Sequence, residues 1–184
     1  MTFEIGKYIV KLLNESDFQI GSKDNNIEYR KSFFTESDFI LATKFGIQIL
    51  ENGLESQNAI IGAEGGASGL HETSQIIEKE RILVCCGDTI FCLGIPDLNL
   101  IWKSKVDEFT CFEIFKIENG YIVHGEMEIS RIDDDGQIVW KNGGADIFVS
   151  ADKTDDFEIS DNYIKALDWD KKVYKWDFDG NEIA

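Results

Sequence analysis

Four groups of residues have the types, though not the spacing, that chemistry needs. The run Asp133-Asp134-Asp135-Gly136 is acidic enough to invite a calcium reading. A helix–loop–helix calcium site wants acids at its first, third and fifth positions, Gly at the sixth and Glu at the twelfth. Setting Gly136 sixth puts Arg131 first and Asn142 twelfth, so a solvated acidic turn is the better account. Cys85, Cys86, Cys92 and Cys111 are potential thiolate ligands, but structural zinc uses paired Cys-x-x-Cys turns. Adjacent residues on a strand face opposite ways, so these cysteines read as small buried apolar groups. His71 and His124 are the two near-neutral proton carriers, and neither has a nearby Ser or Cys in a recognisable triad. The stretch GAEGGASGLH around Gly62, Gly65, Gly66 and Gly69 lacks the Gly-Lys-Ser/Thr ending of a phosphate loop and reads as flexible chain. We expect no catalytic residue, no metal and no cofactor.

Charge is more informative. The 184 residues carry 35 acidic and 18 basic side chains, a formal net charge of −17. That field repels nucleic-acid phosphates and anionic membranes and suits a basic protein partner. From Glu126 onward there are 16 acidic and 7 basic residues. Here acids interleave with aromatics, and Asp155, Asp156, Asp168, Trp169, Asp170, Asp177 and Asp179 are the candidate contact residues. Ordinary alternation, aromatics inward and acids outward, produces the same pattern. No run approaches the roughly 18 apolar residues of a membrane span. The start, MTFEIGKYIVKLL, is broken by Glu4, Lys7 and Lys11 and does not read as a signal peptide. With few cysteines, a reducing cytoplasm is the expected location.

The elements that would position these residues are strands. Between Met127 and Trp140 side chains alternate with period two, interrupted by the acidic turn, which predicts a hairpin. Similar strands begin at Phe39-Ile40-Leu41, at Arg81-Ile82-Leu83, at Tyr121-Ile122-Val123 and at Tyr163-Ile164. Ile40, Ile82, Ile122 and Ile164 are spaced by 42, 40 and 42 residues. Ile77, Ile117 and Ile159 each precede an anchor by five residues. Gly87-Asp88 fits a two-residue inner turn, and Asn52-Gly53, Pro96-Asp97 and Asp179-Gly180 fit outer turns. The unit is a four-stranded meander of about 40 residues, in the range of propeller blades. FEIGKYIVKLL with FQIGSKDNNIEYRK reads as a shortened fifth copy. Leu54 to Lys79 reads as loop then strand, in preference to a short helix from Thr73 or Ser74. The expected fold is all-β: a single domain over residues 1–184 of four or five antiparallel meanders, a small propeller-like ring or an open arc.

The runs GQIVW, Gly136 to Trp140, and LNLIW, Leu98 to Trp102, resemble the outer-strand ends of quinoprotein-like (PQQ-type) β-propeller repeats. The resemblance implies that Trp102 and Trp140 dock between blades. The chain departs from that pattern at Ser130, Ile132, Asp135 and Leu98, and after Gly180 its last copy reaches Ala184 before the position where the outer-strand tryptophan would stand. Quinoprotein enzymes of this type have more blades than this chain supplies, so no bound quinone is implied. The functional expectation is a non-catalytic acidic module binding a basic protein. Alternatives are an immunity protein neutralising a basic toxin, and a small enzyme with its site near His71 and the Gly-rich loop.

Overall fold

The computed structural model describes residues 1–37, 41–149 and 157–183. All its regular elements are strands. The first sheet holds β1 (Thr2–Ile5), β2 (Tyr8–Asn14), β3 (Lys31–Phe34), β4 (Thr43–Glu51) and β5 (Leu54–Ala63), in the order β1-β2-β4-β5-β3. The second is the meander β6 (Gln75–Ile77), β7 (Arg81–Cys86), β8 (Thr89–Gly94), β9 (Leu100–Lys105). The third repeats it with β10 (Cys111–Ile117), β11 (Gly120–Gly125), β12 (Glu128–Ile132) and β13 (Ile138–Gly143). The fourth contains β14 (Phe157–Ile159), β15 (Ile164–Leu167) and β16 (Val173–Trp176). Every pairing is antiparallel except β3 with β5.

The sheets stack in chain order because their inner strands are apolar on both faces. Ile82, Val84 and Cys86 of β7 meet Phe45, Ile47 and Ile61 of the first sheet. Leu83 and Cys85, one residue out of phase, meet Tyr121 and Val123 of the third. Ile122 and Ile129 then meet Ile164, Ala166 and Trp176 of the fourth. Each of these aliphatic side chains contributes about 1.5–3 kcal/mol on burial, available only if a neighbour covers that face. Among the described residues no buried cluster joins the fourth sheet to the first, so the stack is an open, propeller-like arc.

Its two ends are finished differently. Tyr29 brings its hydroxyl end against Gly46, Phe34 covers Gly62, and Asn58 accepts from Arg30 N and donates to Glu28 O, closing the first sheet's outer face. The fourth sheet's outer face is polar. Lys165 Nζ sits 3.1 Å from Glu158, Tyr163 donates to the same carboxylate, and Lys175 lies over the Tyr163 ring.

Consecutive sheets are also clasped at one end. The Trp102 indole packs on Gly136 and donates to Asp134 O at 3.3 Å, where Arg81 also donates at 2.9 Å. One junction further on, Trp140 packs on Gly180 and donates to Phe178 O, and Arg131 donates to that same carbonyl. The carbonyls are held ready by matched turns. Asp133 Oδ1 accepts from Asp135 N and Gln137 N, and Asp177 Oδ1 accepts from Asp179 N and Asn181 N. Gly136 and Gly180 supply the left-handed residue at φ 79° and 85°.

Three expectations need correction, and a fourth lies outside the described residues. Among the described residues there are four sheets and no fifth: β1 pairs with β2 and β2 with β4, and FQIGSKDNNIEYRK belongs to an insertion whose one strand, β3, joins the same sheet. Phe39 and Ile40 lie outside the described residues, and the following strand starts at Thr43. Ile122 is not the counterpart of Ile82 and Ile164. Those two face the preceding sheet, as Tyr121 does, whereas Ile122 faces the following one. The hairpins close alike, with Lys116 opposite Tyr121 as Ile77 is opposite Ile82, so Tyr121 takes the place of Ile82 and a one-residue offset puts Ile122 on the other face. Finally, the Gly-rich stretch is bolted down. Gly62 lies in β5, Gly66 N donates to Phe109 O, and Ser68 Oγ accepts from Gly87 N.

The Trp–Gly clasp is testable. Gly136→Ala puts a methyl inside the Trp102 ring at positive φ, and should lose about 3 kcal/mol in urea unfolding. Gly6→Ala has a similar φ of 58° but nothing within 4 Å, and should lose only about 1 kcal/mol. Equal losses would mean that the indole contact contributes nothing.

Candidate functional site

A meander of four strands returns the chain to the end where it began. The connections between sheets and the inner hairpin turns therefore gather at one end of the arc, opposite the clasps. Backbone bonds join them side by side. Asp88 N donates to Glu64 O, Gly66 N to Phe109 O, Glu126 N to Thr110 O, Phe148 N to Glu126 O and Trp169 N to Ile147 O. The result is a continuous rim built from all four sheets.

Buried aspartates fix its shape. Asp107 is fully buried, and its carboxylate takes four backbone donors: Phe109 N at 2.6 Å and Thr110 N at 3.0 Å on one oxygen, Met127 N at 2.9 Å and Glu128 N at 2.8 Å on the other. Asp168 accepts from Lys172 N and from the Tyr174 hydroxyl, both at 2.9 Å. What these loops present outward is aromatic and acidic. Phe109 is 56% and Trp169 50% exposed. Glu72, Glu108, Asp146 and Asp170 are exposed on the same end. Lys105 bridges Asp88 and Glu108 at 3.4 Å each. Such a surface offers rigid contact area ringed by negative charge.

The residues expected at a partner surface are divided by the fold. Trp169 and Asp170 stand on the rim. Asp168 lies beneath it, 1% exposed, and the expectation that it touches a partner is corrected: its oxygens brace the turn that lifts Trp169. Asp177 and Asp179 lie at the other end of β16, among the clasps. Asp177 is committed to its own turn, where the Asn181 side chain and backbone hold its carboxyl below the usual range. Asp179 Oδ1 lies 3.5 Å from Arg131. Asp155 and Asp156 are outside the described residues. Reading the sequence missed Glu108 and Phe109. Their signal was an aromatic residue in VDEFT, a non-alternating connection with no strand face to bury it.

Both histidines converge on Glu113. Thr73 Oγ1 donates to Glu113 Oε1 at 2.6 Å and lies 3.2 Å from His71 Nδ1. His124 Nδ1 is 2.9 Å from Glu113 Oε2, and its Nε2 is 2.9 Å from Phe148 O. The Phe157 ring stacks on His124 at 4.6 Å, so this chain of bonds ties the second, third and fourth sheets. Both Glu113 oxygens and both His124 nitrogens are engaged with protein. Clefts lie elsewhere, beside Phe18 and Lys44 and beside Arg131 and Asp161. The four cysteines are buried free thiols, Cys85 and Cys86 facing different cores. Burial pushes the Cys85 and Cys86 thiols up, and Cys92 to about 12. Among the described residues no group of three or more His, Cys, Asp or Glu side chains is placed to hold a metal ion. Nor is there among them a helix long and apolar enough to cross a membrane.

Two measurements probe this end. Asp107→Ala strands four backbone donors around a fully buried position and should lower unfolding free energy by about 3–5 kcal/mol, among the largest single-residue losses in the chain. A loss within that of an exposed control such as Asp170→Ala would contradict the bracing role. Glu113 titrates below the usual glutamate range, chiefly because His124 hydrogen-bonds its carboxylate. Its stabilisation is complete above the ordinary glutamate pKa and drains as pH falls through the lowered folded value. Glu113→Gln should therefore cost about 1.5–3 kcal/mol at neutral pH, with the gap from wild type closing in acid. A gap independent of pH would show that the charge is idle.

No family model matches the chain, and no curated protein matches it. Among solved structures it is similar to the computationally designed Ika4 protein, at 14% identity and a TM-score of 0.49, covering 65% of this chain and 77% of that one. It is also similar to the AfRom2 CNH domain, at 11% identity and a TM-score of 0.45, covering 77% of this chain and 46% of that one. The chain thus spans less than half the length of the second.

Proposed function

We propose that this chain is a non-catalytic cytoplasmic binding module whose rim engages a basic protein. The observation that carries the reading is the pairing of exposed Phe109 and Trp169 with carboxylates left without a cation. Among the described residues Glu72, Asp146 and Asp170 have no ion-pair partner, although Lys105 is placed to neutralise Asp88 and Glu108. Aromatic anchors supply contact energy at low entropic cost, and surrounding carboxylates steer a basic partner and reject acidic ones. The net charge of −17 extends that steering beyond the contact itself.

The rim is also stiff. Its anchors sit on loops bonded to one another and braced by Asp107 and Asp168, so little order remains to be gained on binding.

The test is an affinity comparison on the folded chain. Wild type and the Phe109→Ala, Trp169→Ala double variant are immobilised and challenged with basic proteins at about 50 and 300 mM salt. A partner should be retained by wild type, released by salt, and bound about 30-fold or more weakly by the double variant, roughly 2 kcal/mol of anchor energy. Both side chains are exposed, so unfolding midpoints should not move. Undiminished binding by the variant would remove the rim from the reading.

A further inference from the structure

The insertion between β2 and β4 does more than cover the first sheet. Between its first residues and the sheet face lies a cleft of about 860 Å³. Phe18, Ile20 and Leu41 give it an apolar lining, and Ile20 is 69% exposed there although nothing about a turn requires an isoleucine. Phe18 is steadied by an edge-on contact with Tyr29, at 5.7 Å between centroids, and Tyr29 donates to Glu15.

Lys44 lies at the same cleft. It projects from β4 on the outer face, and the residue is only 6% exposed. Its stem passes Gly62, where a Cβ would stand 3.0 Å from Lys44 Cγ and 2.9 Å from Phe34. Its ammonium donates to Leu41 O at 2.9 Å. No carboxylate among the described residues lies within ion-pair distance. An ammonium has three donors, and one carbonyl is poor compensation for the water it has lost. A buried cation beside an open apolar cleft asks for an anion with an apolar body.

We propose that this cleft binds an apolar monocarboxylate, its tail against Phe18, Ile20 and Leu41 and its carboxylate on the Lys44 ammonium. Ser16 and Gln19 stand at the cleft with polar groups for the second carboxylate oxygen. Asp17, also at the cleft, is solvent-exposed and screened. The protein's charge of −17 opposes the approach of any anion, while the buried contact is shielded from salt. Binding here should therefore tighten as salt rises, the reverse of what the rim's basic partner would show.

The probe is decanoate, titrated into the full chain by calorimetry and by two-dimensional NMR, with decanol as the neutral match. Expected is saturable binding on the order of tens of micromolar, with shifts centred on residues 16–20 and 41–44. Lys44→Met should weaken decanoate about tenfold or more and leave decanol unchanged, while Lys44→Arg keeps the affinity within about threefold. Ile20→Glu, at an exposed position that folding tolerates, should weaken decanoate by about tenfold on its own. No saturation by about 1 mM, or equal binding of decanoate by wild type and Lys44→Met, overturns the proposal. So does equal binding by wild type and Ile20→Glu, which holds even if Lys44→Met fails to fold.

Discussion

Ile82, Leu83, Val84, Cys85 and Cys86 are consecutive, buried, and directed alternately at two different neighbours. A strand of this kind is stable only between two other sheets, since exposing either face forfeits several side chains' worth of apolar burial. That requirement sets the order of the molecule. The second and third sheets need company on both sides, the first and fourth on one, and stacking in chain order meets every demand with short connections.

Capping follows from the same constraint. A stack of such sheets must end somewhere, and the two ends show two solutions. At the first sheet the chain spends an insertion, laid over the outer face and pinned by Tyr29, Phe34 and Asn58. At the fourth it changes the side chains, so that Glu158, Tyr163, Lys165 and Lys175 form a polar face held by ion-pair and ring contacts. The insertion creates a feature that a polar face cannot: an open cleft against the sheet, with Lys44 at its wall.

The clasp and the rim are consequences of strand number. With four strands per unit, outer turns collect at one end and connections at the other. The outer-turn end locks the second sheet to the third and the third to the fourth, using one carbonyl at each of these two junctions as the shared acceptor for a tryptophan and an arginine. The arginine comes from the start of β7 at one junction and from β12 at the next, so the acceptor is repeated while the donor's origin is not. The other end carries the surface available for recognition. Division of labour between the ends leaves Trp169 and Phe109 exposed, while Trp102 and Trp140 work within the fold.

Period-two alternation, turn chemistry and a recurrence near forty residues were enough to read strands, meanders and the four cysteines' burial from the chain, because each depends on neighbours in sequence. The count of sheets was not, because the insertion after Asn14 separates β2 from β4 and makes one meander look like two. Nor was the phase of Ile122, since a copy displaced by one residue changes which face a side chain takes without changing composition. Asp168, Trp169, Asp177 and Asp179 look alike in sequence, acids beside aromatics. Only tertiary structure buries the first, exposes the second and sends the other two to the far end. It also brings His71, Thr73, Glu113 and His124 together across more than fifty residues. Local pattern determines the element. Which element covers which face is fixed by the surface left over after every strand has formed, and that surface does not exist until the chain is folded.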